Sequence, residues 1–201
     1  MSHEAFAEDS ADFNEPQDEE PDFAGQTSSE HAQNLVLIGF MGTGKSHVGR
    51  MCAKQLKYRF QDSDRAIEKR VGCTVAEFFE TRGEAAFREY ECEVIAELAA
   101  ASRLVIATGG GAILNPRNVA NLRATGTVVL LTATPDALVQ RLGRRQSRPL
   151  LADAEDVRAR IVGMLETRAP FYEAAAHHIV DTTDRAPEQV CAEVLRVFQA
   201  Q

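Results

Sequence analysis

Eight consecutive residues, Gly39-Phe40-Met41-Gly42-Thr43-Gly44-Lys45-Ser46, have the types and spacing of a phosphate-binding loop: a glycine, four residues, then Gly-Lys-Ser. The flanks give the pattern physical meaning. Leu35-Val36-Leu37-Ile38 before it is a short apolar run that predicts a buried parallel strand. Val48, Met51, Cys52 and Leu56 after it recur at helical spacing. A loop that joins a strand to a helix N-terminus aims successive backbone N–H groups at a phosphate chain. Lys45 would then reach the β- and γ-phosphates and Ser46 would hold Mg²⁺. The competing reading, a chance glycine-rich turn, does not account for both flanks. The expectation is a nucleoside triphosphate site, which leaves open where the phosphoryl group goes.

Further along, Asp62-Ser63-Asp64 follows a second candidate strand. On an extended segment the two carboxylates share a face. They could serve Mg²⁺ and an acceptor hydroxyl, or Asp62 could cap a helix that starts at Arg65, with Asp64 favoured by the dipole. Arg88 has Glu84 four residues before it and Glu91 three after it. That spacing suits a surface ion pair, and equally a clamp on a substrate carboxylate with Glu91 fixing the guanidinium. Thr108-Gly109-Gly110-Gly111 follows a third apolar run. Three glycines there suggest close approach of a ligand to the backbone, or a flexible turn. No Asp stands there, so Asp62 is the candidate Mg²⁺ carboxylate. Arg141 to Leu151 is dense in arginine, with Gly143 and Pro149. It reads as a mobile lid that brings a cation to the phosphates and excludes water, or as a basic solvated loop. Arg168 precedes Ala169-Pro170-Phe171-Tyr172, where packing on Tyr172 is the plain alternative to a ligand contact.

Stacked β-α-β units would position these groups. Candidate strands are Leu35–Ile38, Tyr58–Gln61, Leu104–Ala107, Val128–Leu131 and His178–Val180, alternating with helical patterns, which predicts an α/β fold on a parallel sheet. Thr74-Val75-Ala76-Glu77 is a capping box, Thr134-Pro135 an N-cap with proline at the first helical position, and Gly83 a stop for the helix that starts at Thr74. Phe87, Val94, Ile95 and Leu98 form the stripe of the next helix. Ligands on such sheets gather at the C-terminal strand ends, where each of these motifs falls.

The formal charge of −8 is unevenly placed. Residues 1–33 hold ten Asp or Glu and no Lys or Arg, leaving 20 acidic and 22 basic residues in the remainder, a net of +2. The acidity therefore belongs to an N-terminal extension, and the near-neutral remainder gives no support for nucleic-acid binding. The extension, with isolated Phe6, Phe13 and Phe23, is too poor in apolar residues to fold and is expected to be disordered, either solubilising or a docking segment. It has neither a secretory pattern nor the basic character of a transit peptide, and no run approaches a membrane span, so a cytoplasmic protein without membrane contact is expected. Cys52, Cys73, Cys92 and Cys191 are scattered and read as reduced thiols. His177-His178 is not expected to bind metal, since neighbours in a strand point to opposite faces.

From Asn34 to about Ala200 the chain resembles the shikimate kinases. Gly-Phe-Met-Gly-Thr-Gly-Lys-Ser, Asp-Ser-Asp, Phe-Arg-x-x-Glu, Gly-Gly-Gly-Ala, Arg-Pro-Leu-Leu and Arg-x-x-x-Tyr occur in the family's order and spacing. The resemblance implies a P-loop kinase fold, similar to nucleoside monophosphate kinases, with a five-stranded parallel sheet flanked by helices and a mobile lid. It implies transfer of the ATP γ-phosphate to the 3-hydroxyl of shikimate, on the route to chorismate and aromatic amino acids, by a monomer. It places Gly42, Thr43, Gly44, Lys45, Ser46 and His47 at the nucleotide, with Ser46 on Mg²⁺ and Asp62 holding the ion through water. Lys45 and Arg148 would stabilise the transferring group, and Asp64 would orient or deprotonate the attacking hydroxyl. Arg88, Arg168 and the backbone of Gly109, Gly110 and Gly111 would hold the shikimate carboxylate, with Glu91 positioning Arg88 and Phe79 and Phe87 walling the ring. Arg141, Pro149 and Arg185 would lie around adenine. The expected organisation is an extension over residues 1–33 and a kinase domain over 34–201, with an acceptor region near 62–91 and a lid near 142–153. The extension is longer than the compact family form needs. Two other readings remain: a kinase of another small hydroxylated acceptor such as gluconate, and an inactive relative that binds nucleotide or partners. The second would be free to lose Lys45, Asp64 or Arg88, all of which are present.

Overall fold

A computed structural model describes residues 33–142 and 156–200. The expected extension, and Arg148 and Pro149 with nearly all of the expected lid, lie outside the described residues. In chain order the elements are β1 (Asn34–Gly39), α1 (Lys45–Leu56), β2 (Arg59–Asp62), α2 (Ser63–Val71), α3 (Val75–Ala100), β3 (Leu104–Ala107), a 3₁₀ turn (Ala112–Leu114), α4 (Pro116–Thr125), β4 (Gly126–Thr132), α5 (Pro135–Leu142), α6 (Val157–Ala175), β5 (His178–Asp181) and α7 (Pro187–Gln199).

The five strands form one sheet in the order β2-β3-β1-β4-β5, every neighbouring pair parallel. β1 lies at the centre, buried along its whole length, as a parallel strand covered on both faces requires. Its alternating side chains divide between two cores. Leu35 and Leu37 pack with Val48 and Cys52 of α1 and Val190, Cys191 and Val194 of α7. Val36 and Ile38 pack on the other face with Ile95 of α3, Leu122 of α4 and Tyr172 and Ala175 of α6. The chain runs from β1 out to β2, returns through β3, and then crosses to β4 on the other side of β1. That reversal opens a crevice at the C-terminal ends of β1 and β3.

Local signals set the element ends. Thr74 Oγ1 accepts from the Glu77 amide at 3.2 Å while Glu77 Oε2 accepts from the Thr74 amide at 2.8 Å, closing the capping box. Gly83, at φ 80° and ψ 167°, breaks α3 into two helical stretches at the place where the sequence asks for a stop. Thr134 caps α5, its hydroxyl accepting from the Ala137 amide at 3.4 Å. Two expectations need correction. The helix after β2 begins at Ser63 rather than Arg65, so Asp62 and Asp64 do not share one extended segment: Asp62 is the cap and Asp64 is in the first turn. His177 precedes β5 and uses Nδ1 to accept from the Val128 amide at 2.9 Å, so its ring is engaged in joining β4 to the start of β5.

Among the described residues, no helix is long and apolar enough to cross a membrane.

Candidate active site

The phosphate loop leaves the buried end of β1 and enters α1 at Lys45. The N–H groups of Gly42 and Gly44 have no acceptor among the described residues, as a loop open to an anion would have. Thr43 is buried and its hydroxyl donates to the Phe40 carbonyl at 2.8 Å, which ties the loop onto itself. The Lys45 ammonium is buried and donates to the carbonyls of Gly39 at 2.8 Å and Phe40 at 2.9 Å. The cation is thus held at the loop mouth. His47, one turn position further, is exposed.

Ser46 and Asp62 come from different strand ends and meet: the Ser46 hydroxyl donates to Asp62 Oδ2 at 2.6 Å. The other oxygen, Oδ1, accepts from the Asp64 amide at 3.1 Å and the Arg65 amide at 3.4 Å. Helix capping and the contact with Ser46 therefore fall on different oxygens of one carboxylate. A hydroxyl and a carboxylate oxygen beside a phosphate loop are hard donors that suit Mg²⁺, an ion that keeps several waters and takes few protein ligands. No group of three or more His, Cys, Asp or Glu able to hold a metal occurs among the described residues.

The acceptor side is assembled on the glycine run after β3. A Cβ at Gly109 would overlap the Asp64 carboxylate, and one at Gly111 would overlap the Arg88 guanidinium. A side chain at either place would displace the charged group, so glycine lets an anion and a cation lie close over one strip of backbone. Ser63, fully buried between the two aspartates, accepts from the Gly109 amide at 2.9 Å and pins that strip to the start of α2. The sequence reading gave Ser63 no role; its place between two carboxylates was the available signal.

Arg88 is shared between Glu91 Oε2 and Glu84 Oε1, each at 2.8 Å. Both the surface pair and the buried brace are therefore formed. Glu91 is 1% exposed and its Oε1 accepts no hydrogen bond among the described residues. Burial pushes its carboxyl above the usual range, Arg88 opposes that, and the nearby Asp64 charge adds to the rise. Burial also works against the Arg88 cation, but the charges of Glu91 and Glu84 outweigh it and hold the guanidinium above its ordinary value. From α6, Arg168 reaches the Gly110 carbonyl at 3.5 Å and Tyr172 donates to it at 2.6 Å. Phe79 and Phe87 meet edge to face at 4.8 Å. Phe87 lies within the core with Ile67 and Phe78, and Phe79 is half-buried against it.

The nucleotide flank has one feature the sequence did not reveal. Arg141 donates to the Thr182 carbonyl at 2.6 Å and hydroxyl at 2.9 Å, and reaches the Gly42 carbonyl at 3.4 Å. Arg185 stands in the same loop, its guanidinium donating to the Asp181 carbonyl at 3.1 Å. Thr182 is thus the hub that brings the segment after β5 to the phosphate loop, and no motif marks it. The site draws together Lys45, Ser46, Asp62, Asp64, Arg88, Glu91, Arg168 and the three glycines; Arg141 and Arg185 share a second cluster beside the loop.

Comparison with known proteins fits this geometry. The family described as shikimate kinase matches residues 41–199. A shikimate kinase of Caldanaerobacter subterraneus subsp. tengcongensis is 43% identical over 166 residues, 83% of this chain and 96% of that protein. One from Pseudomonas syringae pv. syringae is 44% identical over 163 residues, 81% of this chain and 94% of its own length. Among solved structures, shikimate kinase from Acinetobacter baumannii in complex with shikimate superposes with a TM-score of 0.80 at 37% identity, covering 84% of this chain and 94% of that one. A gluconokinase from Sinorhizobium meliloti, at 18% identity and a TM-score of 0.55, shares the fold alone.

Proposed function

The chain belongs to the shikimate kinase family, and from that premise we propose that it transfers the γ-phosphoryl group of ATP to the 3-hydroxyl of shikimate through the residues assembled above. The observation that carries the reading is the placement of Asp64 and Arg88 against Gly109 and Gly111, beside the phosphate loop. It sets a base and a carboxylate-binding cation next to the donor site, which an ATPase without an organic acceptor has no use for.

Phosphoryl transfer through a loose transition state depends on alignment and on neutralising charge. Backbone amides of Gly42, Thr43 and Gly44 cradle the phosphates, and Lys45 exchanges its two carbonyl partners for phosphate oxygens. Ser46 and Asp62 would hold Mg²⁺, which would supply neutralising charge at the phosphates. Arg88 and Arg168, with the amides of Gly110 and Gly111, hold the carboxylate of shikimate. Asp64 then accepts a hydrogen bond from the attacking hydroxyl and takes its proton as the new P–O bond forms and the bond from the γ-phosphorus to the bridging oxygen breaks, releasing ADP. Glu91 fixes Arg88, Phe79 backed by Phe87 covers the ring, and Arg141, Arg185 and Pro149 border adenine. Arg148 completes the charge at the phosphates. In this reading residues 34–201 form the kinase domain, active as a monomer, with residues 1–33 as an acidic extension. The scattered free thiols suit a reducing compartment, and we place the enzyme in the cytoplasm.

The test is ATP consumption with Mg²⁺ and shikimate, quinate, gluconate or no acceptor, on the full chain and on a form lacking residues 1–33. Shikimate-dependent turnover that survives removal of the extension is the expected result. ATP binding without shikimate-dependent turnover refutes the assignment.

A further inference from the structure

The carbonyls of the glycine run have different partners. Gly109 accepts from the Ala112 amide at 3.2 Å and Gly111 from the Leu114 amide at 3.1 Å, so both are held by the 3₁₀ turn. Gly110 has no backbone donor among the described residues. Its carbonyl is held by two side chains of α6, the Tyr172 hydroxyl at 2.6 Å and Arg168 at 3.5 Å. Tyr172 is 4% exposed, and the rest of its ring belongs to the core beneath the sheet. A Cβ at Gly110 would stand 3.6 Å from the Tyr172 hydroxyl, 3.6 Å from the Gly39 carbonyl and 3.7 Å from the Met41 amide. Gly110 therefore lies between Tyr172 and the first residues of the phosphate loop.

The peptide joining Gly110 to Gly111 is planar and trans, so its C=O and N–H point in opposite directions. Whatever holds the Gly110 carbonyl therefore aims the Gly111 amide. That amide has no acceptor among the described residues and sits where the Arg88 guanidinium presses on Gly111. We propose that Tyr172 is a positioning residue for acceptor binding: its hydroxyl fixes the Gly110–Gly111 peptide plane, and with it the amide that meets the acceptor's carboxylate beside Arg88. This rests on the shikimate reading given above. The phenol suits the task. Burial pushes its pKa up to about 12, with Arg168 opposing, so it remains a donor throughout the working range. A rigid aromatic anchor also loses little entropy in holding one hydrogen bond, while Arg168 interacts with the Tyr172 hydroxyl as well as with the Gly110 carbonyl.

Tyr172→Phe removes the donor and keeps the ring. The expected result is a rise of about 3- to 10-fold in KM for shikimate, the size of one lost hydrogen bond, with KM for ATP and kcat within about twofold of the parent. Tyr172→Met, whose flexible side chain fills most of the space without a donor, is expected to give the same split if the phenylalanine variant does not fold. A purely structural role would instead lower the melting temperature and depress kcat with both KM values together. That outcome, or an unchanged KM for shikimate in an active variant, overturns the proposal. If the parent enzyme shows no turnover with shikimate, the functional reading fails and the proposal fails with it; an active parent with an indifferent Tyr172→Phe isolates failure to the positioning role.

Discussion

Replacing Arg88 with methionine separates what this residue does for shikimate from what it does for the fold. Its guanidinium joins Glu91 and Glu84, each at 2.8 Å. Glu84 is 64% exposed and can turn to water. Glu91, at 1%, cannot, and one of its oxygens already lacks a hydrogen-bond partner among the described residues. Breaking a buried pair by removing one member costs about 3–5 kcal/mol. The Arg88 side chain keeps 25% of its exposure, and Glu91 can take up a proton, so the lower end, about 3 kcal/mol, applies. For a domain of this size that is a melting temperature lower by about 6–12 °C. The deficit must depend on pH. Burial already raises the Glu91 carboxyl above its ordinary value of 4.5, with Arg88 opposing, and loss of Arg88 raises it further. A group raised in the folded state adds stability that is fully present below its unfolded value and is lost as pH rises through its folded value. Arg88→Met is therefore nearest the parent at about pH 5 and falls furthest behind it at about pH 8. Adding Glu91→Gln removes the stranded charge. The double variant is expected to recover most of the lost melting temperature and its pH dependence, while KM for shikimate stays about 10- to 100-fold above the parent, as loss of a charge-assisted contact implies. Differential scanning calorimetry across this pH range, beside steady-state kinetics with each substrate varied, measures both. A double variant no more stable than Arg88→Met, or one that recovers shikimate affinity, refutes the reasoning.

Three further perturbations test other parts of the site. Asp64→Asn is expected to lower kcat by about 10²- to 10⁴-fold through loss of the base, with an unchanged circular dichroism spectrum; near-parental turnover removes Asp64 from the mechanism. Asp62→Asn keeps an oxygen to cap α2 but loses the carboxylate that meets Ser46. The Mg²⁺ concentration for half-maximal rate should rise at least about tenfold, in keeping with loss of a charged outer partner, while chelation of the metal stops the parent enzyme altogether. Gly109→Ala would drive a methyl group into the Asp64 carboxylate. It should depress kcat more than it shifts either KM, and parental kinetics in the alanine variant would disprove the close approach.

Legibility in the sequence followed the range of the interaction. β3 is readable to the residue, Leu104–Ala107, because a short apolar run between turn signals has few alternatives. The Thr74 box and the Gly83 break are equally plain, since a cap or a positive φ is decided within four residues. The five-stranded parallel sheet follows from alternation, and the phosphate loop from its flanks. Ser46 and Asp62, 16 positions apart, were both expected at one ion and do meet. What could not be read spans more residues: Arg141 meets Thr182 across 41 positions, and Tyr172 meets Gly110 across 62. Asp62-Ser63-Asp64 shows a different limit. A strand face and a helix cap both account for that spacing, and the structure resolves the choice by giving each oxygen of Asp62 its own partner.

The two cores on either side of the sheet bear on how such an enzyme can change. The helix that presents Lys45 and Ser46 is seated on α7, through Cys52 against Cys191. The brace on the glycine run comes from α6, seated on the opposite face. Yet α6 also carries Ile161, Met164 and Leu165, which pack with Phe40 and Met41 of the phosphate loop, so one helix touches both the donor loop and the glycine run. Substitutions on α6 that reshape the acceptor pocket are therefore transmitted to the loop that holds ATP, and change on one side of the site calls for compensation on the other.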